Sequence, residues 1–426
     1  MKEVLIISYY FPPLGMGGVQ RPAKWAKYLP EFGWKPVVIT VKDIVYYAYD
    51  YSILREIEEV PVFRTESLDP LRVSKWFRVD KNNENSGSRS KKFGVLFRKF
   101  FNYWFIPDIR ILWVPFVIAA AVRIISGNRE IKAVITSSPP NSTHIAGYWI
   151  KKIFGIKWIA DLRDDWAFEI ETRSPTIVHR RINRFVYKKV LQNTDKIITV
   201  SGRIAVNHSK IAGCDNKNVS VVRNGYDPDD FKDVKPVVED KFTVVYTGSV
   251  TKYTNPYVFL SGLYIACKEN PVFKNDLLVK FAGTVTDIDL NSMVKKFGLE
   301  DNVKIHGYLN HSEVINILSG SDVALLLISE SLGEGMVTGK IYEYIGAGKH
   351  IFALIPDCDA SDILATYGNA TIGEYNKSED IAEKILRIYE DWRKNKSLNS
   401  EDVKIKEGFG RVHQVGKLSG ILNDLL

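Results

Sequence analysis

The sequence predicts an α/β protein of two doubly wound domains, and three observations carry that expectation. The chain has 426 residues, 45% of them apolar, which exceeds one small core and suits two domains of about 200 residues each. Apolar runs alternate with helix-length segments along the whole chain, the pattern of parallel strands covered by helices on both faces. The alternation halts in the polar stretch 228–241 and then restarts, so that stretch reads as a linker between domains rather than a loop inside one large domain.

In the first block, residues 4–8, 37–41, 133–137, 158–162, 197–201 and 219–222 read as strands. In the second, residues 243–248, 278–283, 303–307, 323–328 and 351–355 do. The expected domains are 1–235, 236–405, and a C-terminal helix over 406–426 that packs back on the first domain.

The first strand leads into Gly15, Gly17 and Gly18, ahead of a helix expected near Val19. Glycines there let backbone N–H groups approach a phosphate, although a tight strand-to-helix connection would use the same residues. The turn is not a dinucleotide fingerprint, because its third glycine would fall on Gln20. That disfavours an NAD-dependent dehydrogenase.

A later strand ends in DLRDDW, which places Asp161, Arg163, Asp164 and Asp165 at the C-terminal edge of a parallel sheet, where open α/β sheets bind ligands. Arg163 and Asp164 are candidate catalytic groups that would position an acceptor hydroxyl or stabilise charge; a self-satisfied ion-pair cluster is the alternative for each residue. In the second block, Gly248 and Ser249 follow the first strand, with Lys252 close by, repeating the strand, small-residue loop, helix order.

The segment GEGMVTGKIYEYIGAGK is the most informative. Thr338 and Gly339 open a short helix on which Lys340 and Glu343 stand three residues apart. A lysine there neutralises a diphosphate, and a carboxylate one turn on accepts hydrogen bonds from ribose hydroxyls. The alternative is an ordinary i, i+3 salt bridge of about 0.2–0.5 kcal/mol.

Residues 80–91 are polar and read as a flexible loop. After them Phe93, Leu96, Phe97, Phe100, Phe101 and Trp104 recur at helical spacing, opposite Lys91, Lys92, Arg98 and Lys99. Such a helix suits the headgroup region of an anionic membrane, with Phe97, Arg98, Lys99, Phe101 and Trp104 as membrane or acceptor contacts. An aromatic stripe buried in the domain core would use the same spacing.

The net charge of +8 favours anionic partners without choosing among them. Cys214, Cys267 and Cys358 are odd in number and widely spaced, which predicts a reducing, cytoplasmic setting. No C-x-x-C doublet or clustered ligand set predicts a metal. The N-terminus lacks the features of a signal peptide, and the uncharged run 111–122 falls short of the roughly 18 residues that span a bilayer, so no crossing is expected.

Taken in order along nearly the whole chain, YYFPP with GGVQR, SSPPNSTH, DLRDDW, VVRNGYDPDDF, TGSV and TGKIYEYIGAGK resemble glycosyltransferase family 4, the retaining sugar transferases of GT-B fold, of the type that builds bacterial surface polysaccharide. The resemblance implies two Rossmann-like domains facing a central cleft, a nucleotide-sugar donor as substrate rather than cofactor, and a lipid-linked or saccharide acceptor. It also implies work at the cytoplasmic face of the membrane, without nucleic acid as a partner. It places Gly17 and Gly18 near the donor phosphate, Gly307 and Tyr308 near the nucleobase, Glu343 on the ribose, and Arg163 where many members carry a histidine near the reacting sugar.

Two departures stand out. Gly335 occupies the position of a second glutamate, with Glu334 one residue away, and Ser249 stands where many members have an arginine; Lys340 then supplies the missing positive charge. A nucleotide-sugar epimerase of the same fold and a non-catalytic sugar-binding module are the rival functions.

Overall fold

The computed structural model of the chain describes residues 2–15, 17–46, 49–76, 104–212, 218–335, 337–395, 397–399 and 402–426. The expected loop 80–91 and the stripe residues Phe97, Arg98, Lys99 and Phe101 lie outside the described residues. The chain divides into two compact units, Met1–Arg223 with Val415–Leu426, and Asn224–Gln414.

The first unit is built on a seven-stranded parallel sheet: β1 (Lys2–Ser8), β2 (Trp34–Val41), β3 (Val62–Thr65), β4 (Ile131–Ser137), β5 (Lys157–Leu162), β6 (Lys196–Thr199) and β7 (Val219–Val221), in the order β3-β2-β1-β4-β5-β6-β7. Its order reverses between β1 and β4, which makes that junction the topological switch point. The second unit has a six-stranded parallel sheet of β8 (Phe242–Thr247), β9 (Leu277–Ala282), β10 (Val303–Gly307), β11 (Val323–Leu327), β12 (His350–Leu354) and β13 (Ala370–Gly373), in the order β10-β9-β8-β11-β12-β13. Here the switch point lies between β8 and β11.

The strands are apolar at consecutive positions because both faces of each sheet are covered. In the second sheet Val244, Tyr246, Val279, Phe281 and Leu325 pack into one core layer. Their alternate neighbours Val245, Ala324, Leu326, Ile351 and Ala353 pack into the other. The short strands β3 and β13 were not expected; they are four-residue sheet edges with half-exposed residues, and neither has the continuous apolar run of the central strands.

The boundary between units comes earlier than the sequence placed it. Residues after Arg223 join the second unit through their backbone: Tyr226 N–H donates to Phe409 O at 3.2 Å, Arg411 N–H to Tyr226 O at 2.8 Å, and Val237 N–H to Asn316 O at 3.1 Å. Gly225 permits this junction, since its φ is +81° and a Cβ would stand 2.6 Å from Phe409 O. The C-terminal helix Arg411–Asp424 begins in the second unit, and from Val415 onward the chain groups with the first. There Ser419 Oγ donates to Phe32 O at 3.5 Å.

The uncharged run is short, yet the helical stretch Ile109–Gly127 has 19 residues and a mean hydropathy of 1.9, long and apolar enough to cross a membrane by length and composition. Arg110 and Arg123 lie inside it, which is why the uncharged run stops short. Trp113, Val117, Ala121 and Ile125 bury one face of it in the first unit's core, as a core helix does.

That core also holds two imidazoles. Burial pushes His144 down to about 3 and His208 down to about 4. Because the unfolded chain binds protons on these groups below about 6.5, their contribution to stability is complete above that pH and is lost as pH falls toward 4. The urea midpoint of the free protein is therefore expected to drop between pH 6.5 and 4; a flat profile across that window would contradict the burial of both rings as neutral groups.

Candidate functional site

In the second unit the switch point is organised by two tyrosines. The Tyr344 hydroxyl accepts from Thr247 N–H at 3.1 Å, at the end of β8, and donates to Leu325 O at 3.2 Å on β11. It thereby fixes the helix Lys340–Gly346 over the junction of the two strands. Tyr246, one residue before Thr247, is fully buried; its hydroxyl accepts from Lys340 Nζ at 2.5 Å and donates to Ser249 O at 3.0 Å.

Lys340 lies over the Tyr246 ring, 4.0 Å from its centroid, a cation–π contact. Burial lowers its pKa to about 7, opposed by the charge of Glu343. Room for the side chain comes from Gly248, whose φ is +95° and whose Cβ would lie 2.5 Å from Lys340 Cε. Gly248→Ala is therefore expected to strain the backbone by about 1–3 kcal/mol and to displace Lys340. Isothermal titration should show nucleotide affinity falling by about tenfold, on the order of 1.4 kcal/mol; unchanged affinity would separate Lys340 from the ligand.

The i, i+3 salt bridge between Lys340 and Glu343 is not formed. Lys340 gives its ammonium to Tyr246, and among the described residues the Glu343 carboxylate accepts no hydrogen bond and joins no ion pair. Burial raises its pKa, opposed by the charge of His311, which itself pairs with Asp230 at 3.1 Å. A half-buried carboxylate left without a partner is costly and is ready to accept hydroxyl donors. The helix Lys340–Gly346 has only 7 residues and no side-chain cap on Gly339, so the positive charge here belongs to Lys340 more than to the helix dipole. Thr338 Oγ1 is 3.5 Å from Lys340 N.

Three glycines close the crest of β8, β9 and β10. Gly248 N–H donates to Ala282 O at 2.7 Å, a Cβ on Gly283 would stand 2.2 Å from Gly248 O, and Gly283 bridges to Gly307. Tyr308, next to Gly307, is 78% exposed. Ser249 is exposed and its Oγ is 3.0 Å from Thr284 Oγ1, while Lys252 lies over the ring of its neighbour Tyr253 at 4.9 Å. Among the described residues nothing ties Lys252 to Lys340. Tyr246, Tyr344 and Gly283 were missed by sequence reasoning; the only available signal was the repetition of a glycine after each of these strands.

In the first unit the DLRDDW residues separate into roles. Asp161 is fully buried and accepts from Arg21 Nη2 at 2.9 Å, from Arg21 Nε at 3.2 Å and from Ser137 Oγ at 2.7 Å. It is an internal ion pair, the self-satisfied alternative. Asp165 caps the helix Trp166–Arg173 through Phe168 N–H and accepts from Asn207 at 3.0 Å. Arg163 is buried, with Nε on Ser138 O and Nη1 on Gly18 O at 2.7 Å, while among the described residues Nη2 has no partner. Asp164 is exposed, and among the described residues its carboxylate accepts no hydrogen bond.

Gly17 and Gly18 open the helix Gly17–Tyr28, and a Cβ at either would meet nothing within 4 Å. Packing does not demand glycine at these positions, which leaves the backbone there approachable. Of the aromatic and basic contacts expected near residue 100, only Trp104 lies within the described residues, 65% exposed. No cluster of three or more His, Cys, Asp or Glu side chains gathers among the described residues.

With this geometry in view, comparison with known proteins is informative. Residues 227–403 match the family described as "Glycosyl transferases group 1", a span that takes in Gly248, Gly307, Lys340 and Glu343. No curated protein matches the sequence. Among solved structures, Anabaena HepE in complex with UDP is similar at 14% identity, with 100% of both chains covered and a TM-score of 0.65. A glycosyltransferase from Rickettsia africae is similar at 16% identity, over 100% of this chain and 98% of that one, with a TM-score of 0.65. Sucrose-phosphate synthase from Thermosynechococcus elongatus is similar at 13% identity, over 100% and 99%, with a TM-score of 0.62. The fold is GT-B, and the matched segment supports a glycosyltransferase.

Proposed function

We propose that the chain transfers a sugar from a nucleotide-sugar donor to a lipid-linked or saccharide acceptor in cell-surface polysaccharide synthesis, with retention at the anomeric carbon. It works without a metal ion or other cofactor, at the cytoplasmic face of the membrane. The observation that carries the donor assignment is the juxtaposition, at the switch point of the second sheet and inside the matched segment, of a Lys340 ammonium held by a neutral phenol and a Glu343 carboxylate that accepts no hydrogen bond among the described residues.

The Lys340 ammonium neutralises the donor diphosphate and stabilises the charge that grows on it as the glycosidic bond breaks. The Glu343 carboxylate accepts hydrogen bonds from the ribose hydroxyls, and the exposed Tyr308 stacks near the base. Arg163 and Asp164 are assigned to the acceptor. Anabaena HepE was solved with UDP and, separately, with UDP-glucose, so uridine donors are the first to try.

The experiment is a nucleotide-release assay with UDP-, GDP-, ADP- and dTDP-sugars. Release of one nucleotide, accelerated by an added acceptor, is the expected result. An isomerised sugar nucleotide formed from donor alone would establish the epimerase instead, and saccharide binding without nucleotide binding would establish the binding module.

A further inference from the structure

We infer that the helix Ile177–Asn193 of the first unit is a docking surface for an anionic lipid bilayer. The helix, IVHRRINRFVYKKVLQN, carries Arg180, Arg181, Arg184, Lys188 and Lys189 and no acidic residue. Its inner face is conventional, since Tyr187, Val190 and Leu191 are buried in the unit's core.

Its outer face is not. Val178, Ile182, Phe185 and Lys189 recur at i, i+4, i+7 and i+11, so they form one stripe, and Val178, Ile182 and Phe185 are 63%, 45% and 63% exposed. Ile177 beside them is 67% exposed. Large apolar side chains aligned on the solvent face mark an interaction site. At 100° per residue, Arg181, Lys188 and Arg184 fall on one flank of that stripe, and Lys189 Nζ lies over the Phe185 ring at 5.6 Å. An apolar stripe bordered by cations is the arrangement of a helix lying at the boundary between acyl chains and headgroups.

The same flank opens on a groove of about 580 Å³ lined by Phe168, Ile170 and Ile211 and edged by Arg184, Lys188 and Lys210. Glu171 beside it is engaged by Arg184 at 2.6 Å and Arg180 at 3.6 Å. Among the described residues Arg181, Lys188 and Lys189 form no ion pair. The charge complement of this face is therefore an anionic, partly apolar surface. This inference rests on the proposed membrane setting and gives it a location other than the segment around residue 100.

The test is co-sedimentation of the full chain with vesicles of phosphatidylcholine alone and of phosphatidylcholine with phosphatidylglycerol. The wild type is expected to bind only the anionic vesicles. Replacing Arg181, Lys188 and Lys189 with glutamine should weaken partitioning about a hundredfold, at roughly a factor of five per basic residue; Ile182→Asp with Phe185→Asp should abolish it. Anionic-vesicle binding that survives both variants would overturn this face while leaving the membrane setting intact, and wild-type binding to neither vesicle would overturn both. A concentration-dependent dimer abolished by Ile182→Asp with Phe185→Asp, without vesicle binding, would assign the stripe to a second copy instead. Nucleotide-induced thermal stabilisation, measured in the same variants, should be unchanged, which keeps the donor assignment separate from the outcome.

Discussion

Lys340→Ala is expected to lower turnover on the order of 10²-fold with the fold intact, the loss that follows removal of one preorganised charge partner. The reason lies in how the free protein holds the side chain. Its ammonium meets a neutral phenol and an aromatic face rather than a carboxylate, so among the described residues its charge closes no ion pair. Burial has brought its pKa down from the ordinary lysine value to about 7.

A lysine with a folded pKa below its unfolded value subtracts from stability at neutral pH, and that deficit fades as pH rises from about 7 to about 10.5. Lys340→Met should accordingly leave the free protein no less stable at pH 7, while losing turnover. The wild-type donor KM should rise above pH 7 as the ammonium is lost. Wild-type rates in Lys340→Ala would remove the residue from the site, and a fall in melting temperature in Lys340→Met would show that its charge serves the fold.

Arg21→Ala is expected to act in the opposite sense, costing about 3–5 kcal/mol of first-unit stability, because it strands a buried carboxylate without its countercharge. Arg21 and Asp161 are 2% and 0% exposed. Arg21 also reaches Arg223 O at 3.0 Å, near the end of that unit's main segment. Adding Asp161→Asn should recover part of the loss, since the residual charge is then gone. Urea denaturation followed by tryptophan fluorescence reads both. A loss below about 1 kcal/mol in Arg21→Ala would contradict the reading of Asp161 as a self-satisfied internal ion pair.

The strands were legible because residues such as Val244 and Val245 are buried on opposite faces of one sheet, which leaves an uninterrupted apolar run. The edge strands β3 and β13 have no such requirement. The position of Lys340 and Glu343 was legible for the same reason, since it follows from where β11 ends. What holds Lys340 was not: Tyr246 is 94 residues away in sequence, and no local pattern encodes that contact.

The DLRDDW residues show the limit from another side. Composition cannot tell that Asp161 is consumed by Arg21, 140 residues distant, while among the described residues the Asp164 carboxylate accepts no hydrogen bond. The helix Ile177–Asn193 escaped notice because its apolar residues are spread around both faces, and only burial separates the inner set from the outer.

The central claim is that Lys340 and Glu343 hold a nucleoside diphosphate. It is tested most directly by thermal unfolding with UDP, GDP, ADP, CMP and dTDP, on the wild type and on Glu343→Ala. One nucleotide, present at about 100 times its dissociation constant, should stabilise the wild type by roughly 2.7 kcal/mol and leave Glu343→Ala unmoved. Stabilisation by none of the five, or equal stabilisation of the variant, would contradict it.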